Sequence, residues 1–134
     1  MKPRDLSARG LLRNQAGAAA VEFAFIGLAL MALMLGLIEV GRGLYLRNAL
    51  AQAVDVGARN ALVHADMTDT ALEDQVRAAF TGTQPDLLQV TIGTETVDGI
   101  AFRTVALSYP LTLFVPGLAG NSISLGMTRR IPIP

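Results

Sequence analysis

An α+β fold built on one long N-terminal helix is what this sequence predicts, and three observations predict it. A basic start leads into 21 residues, 18–38, whose only ionisable side chain is Glu22. Helical spacing then continues beyond Glu39 with apolar residues on one side only. Leu88, Val90 and Ile92 then alternate with Gln89, Thr91 and Gly93 ahead of an Asp98-Gly99 pair, and Ile123, Leu125 and Met127 alternate again. These patterns predict a long helix with a membrane half and an amphipathic half, a short second helix, and a small antiparallel three-stranded sheet.

The long helix comes first. As a helix, residues 18–38 extend ~32 Å and match a hydrocarbon core of ~30 Å. A domain within 134 residues is too small to surround a helix that is apolar on every side, which argues against a buried core helix. A secretory signal peptide has a shorter apolar region and a small-x-small cleavage site, whereas Gly36-Leu37-Ile38 precedes Glu39 here. A membrane anchor fits best. The zero net formal charge hides an asymmetry: residues 1–17 carry Lys2, Arg4, Arg9 and Arg13 against Asp5 alone, a net of +3. A basic flank stays cytoplasmic, so the expected order is a cytoplasmic leader at 1–17, a transmembrane helix at 18–38 and an extracytoplasmic α+β domain at 39–134. No basic stripe with interleaved aromatics follows, so nucleic acid is not an expected partner. The chain has no cysteine, which excludes disulfides and thiolate chemistry.

Beyond Glu39, residues Leu46, Leu50, Ala53, Val54, Gly57, Ala61 and Leu62 recur at three and four positions. Asn48, Gln52, Asp55 and Arg59 fall on the other side, with Asp55 and Arg59 spaced for an i,i+4 ion pair. One helix is therefore expected from about Gly17 to about Val63, with a bend near Gly41 and Gly43. Its apolar stripe is expected to pack on the chain's own C-terminal part and to offer a surface to neighbouring subunits.

Thr68 or Asp69 caps a short helix to about Phe80, with Leu72, Val76, Ala79 and Phe80 on one side. Leu88, Val90 and Ile92 alternate with polar residues as a half-buried strand, and Asp98-Gly99 turns the chain into a second strand over 100–109. Pro110 and Val115-Pro116-Gly117 predict a bend and a loop. Ile123, Leu125 and Met127 then alternate up to Arg130, where Arg129 and Arg130 read as a strand-end charge pair.

Glu22 needs a reason, because a carboxylate at the bilayer centre costs about 2.5–3.5 kcal/mol; about 6 Å in from Ala18, it either reaches the cytoplasmic interface, is protonated, or finds a partner. Gly17 stands five residues before it, followed by Ala18, Ala19, Ala20 and Val21, with Phe23 after. Cutting between Gly17 and Ala18 creates a new α-amine with Glu22 as the fifth mature residue. A glycine before the bond leaves room for close backbone access. The amine and the Glu22 carboxylate of a neighbouring copy can neutralise one another and so fix axial register. Ala16, Ala20 and Ala24 form a small-xxx-small series that permits close helix approach in lipid.

The segment Gly17-Ala-Ala-Ala-Val-Glu22-Phe23-Ala resembles the class III signal of type IV pilins and pseudopilins. The continuation through Gly36-Leu-Ile-Glu39-Val-Gly41-Arg42, Leu44-Tyr45, Asn48-Ala49-Leu50 and Gly57-Ala58-Arg59 is similar to TadE-like pseudopilins of tight-adherence (Flp-type) pilus systems. Val105-Ala-Leu-Ser-Tyr109-Pro110, Pro116-Gly117-Leu118 and Ile123-Ser-Leu resemble the extracytoplasmic end of that family. Phe23 stands where the Flp processing motif usually has tyrosine, so no role of a tyrosine hydroxyl carries over. The resemblance implies cleavage by a membrane aspartyl prepilin peptidase and residence in the bacterial inner membrane. It also implies a role in pilus biogenesis, with other Tad pilins or pseudopilins and the inner-membrane assembly platform as partners.

Catalytic candidates are few, and no enzyme, cofactor or metal is expected. His64 is the only histidine. Asp66, Asp69, Glu73 and Asp74 lack the glycine and spacing of an EF-hand loop and read as a solvated acidic surface. Ser108, Ser122 and Ser124 have no nucleophile-elbow context, and Gly117-x-x-Gly120 has no following Lys-Ser/Thr for a phosphate loop. The competing readings are a bitopic protein with an exported binding module and a secreted enzyme with a cleaved leader.

Overall fold

The computed structural model describes residues 16–114 and 121–133. The basic leader residues Lys2 to Arg13, the Val115-Pro116-Gly117 break and the Gly117/Gly120 pair lie outside them. Helix α1 covers Ala16–Val63 and α2 covers Asp69–Ala79. A single 3-10 turn at Pro85–Leu87 precedes strands β1 (Gln89–Val97), β2 (Ile100–Thr112) and β3 (Ser122–Pro132). The strands form one antiparallel sheet in the order β1-β2-β3. The expected α+β class, with long helix, short helix and three-stranded sheet, is the class observed.

The chain divides into two compact units, Met1–Ile38 and Glu39–Pro134. In the first, every described residue from 17 to 38 is exposed except the half-buried Gly27. This stretch of α1 is long and apolar enough to cross a membrane. A helix apolar on all sides requires apolar surroundings.

The second unit has its own core. Leu46, Ala49, Leu50, Ala53, Val54, Ala58 and Ala61 of α1 are buried at the spacing of a single helix face. Leu72 and Val76 of α2, Phe80, Leu88, and Val105, Leu107, Tyr109 and Leu111 of β2 close over them. Alternation along β2 puts those four side chains on one face of the sheet. Gly57 lies where α2 packs against α1: a Cβ there would stand 2.4 Å from Val76 Cγ2. Leu62 departs from the expected stripe and is 60% exposed.

Local chemistry sets the element ends. The Thr68 hydroxyl accepts from the Ala71 amide at 3.3 Å and caps α2. Asp98 and Gly99 both have positive φ, 52° and 79°, the backbone of a type I′ hairpin turn. Helix α1 runs through Gly41 and Gly43 as one α-helix. Pro110 does not end its strand, contrary to the bend expected there. The last β1 pair is Gln89 with Ser108, so position 110 has only β3 beside it and proline's missing N–H is tolerated as on an edge strand.

Candidate functional site

The N-terminal candidates all lie on the first turns of α1. Gly17, Ala18, Ala20, Glu22, Phe23 and Ala24 are helical and exposed, with Phe23 at 77%. Ala16 opens the helix; its side chain lies outside the described ones. Helical spacing puts Ala18 and Glu22, and likewise Ala20 and Ala24, one turn apart on neighbouring lines of the surface. Among the described residues Gly17 has nothing within 4 Å of where a Cβ would stand. Packing therefore does not demand glycine at this position.

A second acidic residue next to the apolar run has a different environment. Glu39 is only 15% exposed, and its Oε2 accepts from the backbone N–H of Phe114 at 2.9 Å. Its Oε1 lies 3.2 Å from Nη1 of Arg42, one turn on. Arg42 also donates to the Thr112 carbonyl at 3.3 Å, and its guanidinium carbon stands 4.1 Å above the centre of the Phe114 ring. These two side chains tie the end of β2 to the part of α1 that follows the apolar run. In sequence, Glu39 and Arg42 are visible only as part of a family-like string, and Phe114 carries no signal at all. The contact depends on where a 13-residue strand ends.

The remaining charges make structural pairs. Asp55 pairs with Arg129 of β3 and not with Arg59, correcting the expected i,i+4 pair. A strand arriving beside α1 brings the guanidinium to Asp55, which spacing along one helix cannot reveal. Arg130 pairs with Glu95 of β1, so Arg129 and Arg130 cross-link two different elements. Asp69 is 3.3 Å from Arg103, and Glu73 is 2.8 Å from Arg77, which also donates to the Leu88 carbonyl at 2.7 Å. Ser108 and Ser124 hydrogen-bond to each other at 3.0 Å across β2 and β3. Nδ1 of His64 is 3.3 Å from the Asn60 carbonyl. Among the described residues no group of three or more metal-ligating side chains converges. A cavity of about 280 Å³ is lined by Ala61, Leu62, Ala65, Ile131 and Arg103, and Arg103 is already engaged by Asp69 and the Met67 carbonyl.

The helix that carries Glu22 and Glu39 is also the part of the chain that matches a family model. Residues 17–59 match the family model described as TadE-like protein. The match covers less than half of the chain, and the resemblances at 105–110, 116–118 and 123–125 lie beyond it. No curated protein and no solved structure matches the chain. The matched segment starts at the glycine before Ala18, includes Glu22, Glu39 and Arg42, and ends within the buried stripe of the second unit. Over residues 17–59 the chain is therefore similar to TadE-like proteins.

Proposed function

We propose that this chain is a minor pseudopilin or assembly protein of Tad (Flp-type) pilus biogenesis, acting through protein–protein contacts and not through catalysis. The single observation that carries the reading is the TadE-like match over residues 17–59. In this reading residues 18–38 anchor the chain once in the bacterial inner membrane, with the basic leader cytoplasmic and residues 39–134 outside. A prepilin peptidase cuts between Gly17 and Ala18. The new amine then pairs with Glu22 of an adjacent copy or of another pilin-like subunit, next to Phe23, while Ala20 and Ala24 favour close helix approach, joined by Ala16 only until cleavage removes it. Two features support these assignments: a wholly exposed apolar helix start, and a carboxylate within it that has no ion-pair partner among the described residues.

N-terminal sequencing of the protein extracted from membranes tests the reading. A mature chain beginning at Ala18 is expected. An intact Met1 would instead indicate a bitopic anchor, and a start after residue 36 a secreted protein. Because nothing crowds Gly17, Gly17→Ala leaves the helix intact, so a block of processing in that variant reports on the peptidase. Glu22→Gln is expected to be cut normally yet to impair assembly. Normal assembly of that variant would remove the charge pairing.

A further inference from the structure

The environment of Phe114 leads beyond assembly to the membrane surface. The residue is 61% exposed yet held at both its backbone and its ring. Glu39 Oε2 fixes its amide at 2.9 Å, and the Arg42 guanidinium stacks on the ring at 4.1 Å. Both holding residues come directly after the apolar run. Residues 17–38 as a helix span ~33 Å against a hydrocarbon core of ~30 Å, so Ile38 stands at the edge of that core. Glu39 is the next residue of the chain and Arg42 is four residues beyond Ile38, so covalent adjacency alone keeps both near the interfacial layer, about 5–7 Å deep on each side. In the same stretch of chain Val40 and Leu44 are 61% and 56% exposed. An aromatic ring beside a guanidinium matches this layer chemically: the ring suits the boundary between headgroups and acyl chains, and the cation suits lipid phosphate.

We propose that Phe114 is a second membrane contact of this protein, its ring seated in the lipid interface and held there by Glu39 and Arg42. The proposal rests on the reading that residues 18–38 cross the bilayer. Its consequence is that the end of β2, and not the helix alone, meets the membrane. The occupant of the exposed ring is then lipid and not a neighbouring subunit.

The chain contains no tryptophan, so single-tryptophan variants report without background. The full chain is reconstituted in phosphatidylcholine–phosphatidylglycerol vesicles carrying lipids brominated either near the headgroup end of the acyl chain or near its tail. Leu28→Trp reports on the apolar run, and Leu62→Trp reports on an exposed site at the other end of α1. Phe114→Trp preserves an aromatic ring under Arg42. Shallow bromines are expected to quench Phe114→Trp by about half or more, above the effect of deep bromines, as for a belt residue. Leu28→Trp should show the reverse order and Leu62→Trp little quenching. If Leu28→Trp is not quenched, the membrane reading itself fails and the proposal with it. If Leu28→Trp is quenched but Phe114→Trp behaves like Leu62→Trp, the spanning helix stands and the Phe114 proposal is overturned. Phe114→Trp emission that is shielded from a water-soluble quencher yet insensitive to both bromines places the ring against protein, which also overturns it.

Discussion

Gly57→Ala is the substitution whose outcome the core geometry decides most sharply. Two effects of opposite sign meet at this position. Alanine is favoured over glycine inside a helix by about 1 kcal/mol. Against this, the added Cβ would stand 2.4 Å from Val76 Cγ2, while its next neighbours, Leu72 Cδ1 at 3.5 Å and Val76 Cβ at 3.8 Å, are at ordinary contact distance. Forcing a methyl into such a gap costs about 1–3 kcal/mol. The net effect in the native background is therefore a loss of about 0–2 kcal/mol. The informative background is Val76→Ala, which deletes the one atom that clashes. There the same substitution should stabilise by about 1 kcal/mol, because only the propensity gain remains. Urea unfolding of the four proteins in detergent, followed by far-ultraviolet circular dichroism, gives the coupling energy, expected at about 1–3 kcal/mol. Additivity within about 0.5 kcal/mol would refute the argument, since it would mean that α1 and α2 do not approach at Gly57 and Val76.

Three further outcomes follow from named contacts. Glu39→Ala strips the Phe114 amide of its acceptor and Arg42 of its counter-ion, and should cost about 1.5–3 kcal/mol of unfolding free energy in the same assay, as for a hydrogen bond to a charged group. Gly99→Val places a β-branched residue at φ 79° in the hairpin turn and should cost about 1–2 kcal/mol or more, seen as a lowered midpoint of thermal unfolding. A double-mutant cycle between Asp55 and Arg129, each side chain about half exposed, should return no more than about 1 kcal/mol, falling further as salt is raised.

What could be read from the sequence follows the range of each interaction. The buried stripe of α1 is legible because its period is set by local helix geometry, and Thr68 is legible as a cap because its partner, the Ala71 amide, is three residues away. The hairpin at Asp98-Gly99 is legible because positive φ selects those residues at that place. Reading fails where the partner arrives from far along the chain. Asp55 lies four residues from Arg59, yet the residue that reaches it is 74 positions away. Pro110 looks like a strand end until the register shows that β1 stops short of it. Ala49 and Ala58 are buried, but alanine suits either side of a helix and gives no signal beforehand. The Glu39–Phe114 contact, across 75 positions, combines both difficulties.

The two acidic residues of the apolar region have unequal claims on a partner outside the chain. Glu39 adjoins the hydrophobic run and, on composition alone, would be as good a candidate for intermolecular pairing as Glu22. Its carboxylate is instead occupied twice, by a backbone amide and by a guanidinium, and is mostly shielded from solvent. An outside cation would have to displace both partners to reach it, and the amide so released would lose its acceptor. Glu22 has no such competitor among the described residues and lies exposed on the first turns of α1. If residues 18–38 cross the bilayer as proposed, the cost of an unpaired carboxylate in the apolar layer falls on Glu22, while Glu39 follows the run. Under the proposed membrane reading, the need for an intermolecular cation therefore falls on Glu22, which leaves Glu39 and Arg42 to tie the end of β2 to the start of the second unit.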